Sequence, residues 1–189
     1  VTNHKQFFLL ILVWTIIGIF SRCIPHLPNL TPLIALSLLA GAVFSRKIAL
    51  LLILTTMVIS DLLLAWIYHY PPFGYWTLFT YSGFISIAIL GQNLSTQPKI
   101  IKSLFYAVGC CLGYWIWTNF GVWLFSNMYA RTLYGLLDCY VMALPFLRND
   151  IVGSVGWMVI LLGSMRFHSP LPKSALGEGG LRSAAKQDG

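Results

Sequence analysis

Asp61 stands beside Ser60 inside an apolar run covering residues 48–68. An ionisable group so placed in a bilayer is expensive unless it is paired or faces a polar cavity. Two readings are open for it: a binding carboxylate, or a structural one held by Arg22 or His26 or capping a nearby helix end. Arg22 ends an apolar run, and its planar fork can neutralise Asp61, hold an anionic ligand group, or serve as an interfacial anchor. His26, flanked by Pro25 and Pro28, presents a stiffly held imidazole, but no second His or Cys stands at metal-ligand spacing. Asn119 offers a donor and an acceptor, and Trp123, one helical turn on, offers a flat face. That pair suits a small heterocycle; an Asn bonded to its own helix plus an interfacial Trp explains it equally well. Asn29 and Tyr129 complete the candidate ligand-binding set.

The chain shows no Ser–His–Asp set, no glycine-rich phosphate cradle and no carboxylate to pair with Asp61. We therefore expect no enzyme, no metal site, no cofactor and no ATP hydrolysis by this chain alone. Cys110, Cys111 and Cys139 read as small hydrophobes. The net charge of +7 is accounted for by short basic turns and the tail, so nucleic-acid binding is not indicated.

Residues of these types need elements that can hold them in lipid. Of 189 residues, 58% are hydrophobic and 9% charged, and the mean hydropathy is +0.78. Soluble domains carry about 25% charged residues and disordered chains more, so both classes are excluded. A bilayer core takes roughly 20 helical residues, and the chain divides accordingly. Candidate spans cover residues 7–20, 32–44, 48–68, 75–94, 101–123 and 151–165. The first resembles a signal peptide, but Arg22 before Cys23 and the lack of a small-residue cleavage pattern make it a retained span. The proline-rich stretch 25–32 follows, with Thr31 as expected N-cap and Pro32 at the first helical position. Small residues Ala35, Ser37, Ala40, Gly41 and Ala42 in the second span, and Gly109 and Gly113 in the fifth, permit close helix approach. Residues 169–189 read as a disordered tail, leaving 1–168 as one membrane domain.

Residues 129–145 are apolar but interrupted by Gly135 and Asp138 and closed by Pro145. If they only dip into the membrane or lie on it, six crossings put both termini on one side. Lys and Arg then divide nine to three in favour of that side; with seven crossings they divide six to six. The positive-inside rule favours the first arrangement, with the tail supplying the difference. The expected fold is an all-α integral membrane protein: six transmembrane helices plus a short re-entrant or interfacial helix near 130–145.

Two segments carry a family resemblance. One is Arg22-Cys23-Ile24-Pro25-His26-Leu27-Pro28-Asn29-Leu30-Thr31-Pro32, followed by residues 35–42 and Ser60-Asp61. The other is Thr118-Asn119-Phe120-Gly121-Val122-Trp123, then Tyr129, Thr132, Gly135-Leu136, Cys139-Tyr140 and Pro145-Phe146. Together they resemble an uncharacterised family of bacterial integral membrane proteins, to about Gly163. That family in turn looks like the substrate-binding (S) components of energy-coupling-factor vitamin transporters. Residues 144–150 are similar to the Pro-Phe-x-x-x-Asp turn before the last helix of the biotin-type members.

The resemblance implies capture of a vitamin or similar small metabolite from outside, and docking on a transmembrane coupler driven by an ATPase pair. It also implies a multi-pass protein of the bacterial cytoplasmic (inner) membrane, its partners being that ligand and the lipid bilayer. S components commonly carry a small Ala-x-x-x-Ala face on the first helix; residues 7–20 contain no alanine, and the small residues sit on the second span instead. A membrane scaffold or assembly protein, using Gly109, Gly113 and the second span to bind partner helices, is the alternative. In the transporter reading a pocket in the outer half of the membrane is roofed by residues 25–31 and walled by Asp61, Asn119, Trp123 and Tyr129. Cysteine-accessibility mapping at Arg46, Lys99 and Ser169 should place all three in the cytoplasm; an external Ser169 would overturn six crossings.

Overall fold

The computed structural model describes residues 4–24, 29–94 and 99–167. Among the described residues it forms seven helices and no strand: α1 (His4–Cys23), α2 (Leu33–Val43), α3 (Arg46–Tyr68), α4 (Tyr75–Gly91), α5 (Ile100–Phe125), α6 (Leu133–Met142) and α7 (Leu144–Phe167). Among the described residues three helices are long and apolar enough to cross a membrane: α3, α5, and α7 over Leu144–Met165. Their outer faces carry exposed Leu51, Trp66, Phe105 and Ile160, a pattern a water-soluble monomer avoids and a lipid-facing one requires. His26 and residues 169–189 lie outside the described residues.

The core is organised around α2. Every residue from Leu33 to Ala42 is buried, as expected of a helix that is apolar all round. Its 11 residues rise about 16 Å at 1.5 Å per residue, roughly half a bilayer's hydrocarbon thickness. Protein surrounds it: α1, α3, α4, α5 and α7 all pack on it. Its small residues are used internally. A Cβ on Gly41 would run into the Ala88 carbonyl of α4, and one on Gly91 of α4 into the Leu38 carbonyl of α2. The two backbones therefore touch where neither helix has a side chain, and this crossing is the most extensive helix pairing in the bundle.

Helix ends depart from the sequence pattern in instructive ways. Pro32, not Thr31, stands at the N-cap of α2; its backbone is already helical, and its carbonyl accepts the Leu36 N–H at 2.8 Å. The last helix starts at Leu144 rather than Ile151. Pro145 lies in its first turn, where a missing N–H costs nothing, so the proline opens α7 instead of closing the preceding segment. That segment holds the 10-residue α6, capped by Thr132, whose hydroxyl accepts the Gly135 N–H at 3.2 Å. At about 15 Å α6 is too short to cross a bilayer, and it is bound laterally to α5. Trp115 Nε1 donates to the Ala143 carbonyl at 2.9 Å, and Tyr140 donates its hydroxyl to the Ile116 carbonyl at 2.9 Å.

The α2–α4 contact yields a direct test. Gly41→Ala or Gly91→Ala should each destabilise the purified protein by about 1–3 kcal/mol, the usual cost of overpacking, and lower its melting temperature in detergent. Gly109→Ala, where an added Cβ meets nothing within 4 Å, should leave it unchanged. Equal melting for all three variants would refute the backbone contact.

Candidate functional site

Polar side chains gather at one end of the bundle, where α1, α3 and α5 finish and α2, α4 and α7 begin. Arg22 sits on the last turn of α1, and its Nη2 meets Asp61 Oδ1 at 2.6 Å. The other guanidinium nitrogen, Nη1, donates to Ser60 Oγ and lies 3.8 Å from the Met57 sulfur. Asp61 Oδ2 accepts the Tyr81 hydroxyl of α4 at 2.8 Å. Both carboxylate oxygens are thus engaged and the residue is buried, so within the bundle Asp61 is neutralised on one side and hydrogen-bonded on the other. Tyr70, in the α3–α4 loop, senses the pair: partial burial and then the Asp61 charge push its phenol above the ordinary value, against the opposing pull of Arg22.

A second polar group lies on α7. Asp150 is 6% exposed, and its Oδ2 accepts a hydrogen bond from Asn29 Nδ2 at 3.1 Å. Asn29 has φ 63°, a left-handed conformation that asparagine tolerates better than most residues. That turn brings the amide of the α1–α2 connection down onto α7. The Cys111 thiol of α5 lies 3.5 Å from the Asp150 carbonyl. One turn beyond Asp150, on the same face of α7, Ser154 is 1% exposed and its hydroxyl has no hydrogen-bond partner of normal geometry among the described residues; the Cys111 thiol is its neighbour. Tyr114 of α5 lies toward the same end, its ring packed on Phe84 at 4.7 Å between centroids.

The seven residues expected to line a pocket fall in different places. Arg22 and Asp61 pair directly, and Asn29 reaches the same end through Asp150. His26 lies outside the described residues. Asn119 and Trp123 face α6 and the loop before it. Asn119 Nδ2 donates to the Trp115 carbonyl of its own helix at 2.8 Å, its backbone carbonyl faces the Cys139 thiol at 3.5 Å, and Trp123 Nε1 donates to the Ala130 carbonyl at 3.0 Å. Tyr129, beside Ala130, is half-buried in that loop. In their place Tyr81, Tyr114, Asp150 and Ser154 join the polar end. Asp150 alone gave a sequence signal, as a carboxylate bordering an apolar run. The tyrosines and serine look like any others in a membrane helix.

Near the same end, aromatic rings of α4 and α5 pack in a continuous cluster: Tyr75 stacks on Phe125, Phe79 tilts against Phe125 and Trp117, Trp117 stacks on Phe120, and Phe120 tilts against Trp123. Such belts sit at membrane–water interfaces. A groove of about 420 Å³ opens between α4 and α5, lined by Ser82, Gly83, Ser86, Gly109, Gly113 and Tyr114 among others; of the residues of the polar end, Tyr114 alone borders it. No trio of His, Cys, Asp or Glu able to hold a metal ion occurs among the described residues. The chemistry on offer is hydrogen bonding and charge pairing in an apolar surrounding, the means of holding a small polar molecule.

No curated protein and no solved structure matches the chain. A family model described as a family of unknown function (DUF6580) matches residues 2–175. With nearly the whole helical bundle covered, the chain belongs to that family.

Proposed function

We propose that this protein is a substrate-binding membrane subunit, S component-like, for uptake of a vitamin or similar small metabolite. It resides in a bacterial cytoplasmic membrane with six crossings and both termini inside. In this reading α1, α3, α4, α5 and α7 cross, α2 makes the sixth crossing inside the protein only together with the connections at its two ends, and α6 does not cross. The observation that carries the proposal is the polar end itself. Five helices and the α1–α2 connection each deliver a polar side chain to one level of an otherwise apolar bundle. Buried polar groups are costly in lipid, and functional sites are where membrane proteins keep them. Since the chain has no phosphate cradle, energy would come from a separate coupler and ATPase pair.

One observation favours the scaffold alternative. Gly109 and Gly113 lie on the open groove with nothing within 4 Å of a built Cβ, which leaves room for a partner helix. The small residues of α2 offer no such surface, being spent on α4. Native mass spectrometry of the gently purified protein separates the two readings. Capture predicts a bound small molecule, at one copy per chain, together with co-purification of a coupler and ATPases. A ligand-free protein that co-purifies with an unrelated membrane complex would overturn the proposal.

A further inference from the structure

Two carboxylates, Asp61 and Asp150, are buried at the polar end. The cation bonded into this end is Arg22, committed to Asp61 through a 2.6 Å contact; Arg148, two residues before Asp150 on α7, is exposed. Asp150 has the neutral amide of Asn29 and no ion pair among the described residues. It is the seventh residue of α7, beyond the first turn in which a helix dipole favours negative charge. One turn on, on the same face, the buried Ser154 hydroxyl has the Cys111 thiol as its neighbour and no hydrogen-bond partner of normal geometry among the described residues. A buried polar atom left unpaired in a native fold calls for an explanation, and a ligand atom is one. A buried carboxylate likewise stays charged only beside a positive or multiply donating partner.

We infer that the captured molecule is a small organic cation, a protonated amine or amidine-like heterocycle. It binds with its positive group on Asp150 and a polar atom on Ser154, beside the Asn29 amide. The inference rests on the capture reading and adds to it the charge of the substrate. An anion is disfavoured for two reasons. Arg22 would have to abandon Asp61, leaving that carboxylate unpaired, and the incoming charge would face Asp150.

The test uses the full-length protein in lipid nanodiscs and three probes of one shape: benzamidine (cationic), benzamide (neutral) and benzoate (anionic). Calorimetric titration should show benzamidine binding at least about tenfold more tightly than either of the others, the usual worth of one charged hydrogen bond. Asp150→Asn should bring benzamidine down to the level of benzamide. Should that variant fail to fold, Asn29→Ala keeps the carboxylate; it should weaken all binding while preserving the order of the three probes. Preferred binding of benzoate, or a benzamidine preference that survives Asp150→Asn, would overturn the cation assignment. If none of the probes binds yet the purified protein carries a native small molecule, capture stands and the cation assignment falls. If there is neither probe binding nor a native ligand, both fall.

Discussion

A charged pair inside an apolar bundle governs this fold. Arg22 and Asp61 lie 39 positions apart on α1 and α3, and neither could be held at that depth without the other. Removing one partner from a buried pair typically costs about 3–5 kcal/mol, because the remaining charge is stranded. The pair is also satisfied beyond the ion contact: Ser60 and Met57 meet the guanidinium and Tyr81 meets the carboxylate. It therefore fixes α1 against α3 and recruits α4 to the same level. Without such a lock helix association in lipid rests on packing alone, since apolar helices gain nothing by leaving apolar tails.

The opposite requirement is met at the α2–α4 crossing, where the bundle draws together through absent side chains. Gly41 and Gly91 bring two backbones into contact, so that a short, fully buried α2 serves as the axis on which α1, α3, α4, α5 and α7 pack. One mechanism sets the radius of the bundle and the other sets the register of its polar end. Asn29, Asp150, Ser154 and Tyr114 can hold a defined geometry because both are in place.

How much of this could be read from the residues differs from element to element. Asp61 and Arg22 were legible because charges in apolar runs are few and their physical cost is high. The existence of the helices, and of a short one near 130–145, followed from hydropathy and from Gly135, Asp138 and Pro145. The start of α7 did not, because a proline ends one helix or opens the next by the same chemistry. Reading Pro145 as a stop left Asp150 in a turn and outside the site. The position of Asn119 and Trp123 beside α6 was not legible for a different reason: residues 115, 119 and 123 share one face of α5, residues 111, 114 and 118 another, and nothing local says which face meets α6. Tyr81, Tyr114 and Ser154 gave no signal of their own. The small residues of α2 announced close approach, but not that the partner was α4 of the same chain.

The most direct measurement of the central constraint is a double-mutant cycle on Arg22 and Asp61, read as unfolding free energy in mixed micelles. If the pair locks the polar end, Arg22→Leu and Asp61→Leu should each cost several kcal/mol. The double variant should be more stable than either single one, because no stranded charge remains. Strictly additive losses, or single variants as stable as the wild type, would contradict the account.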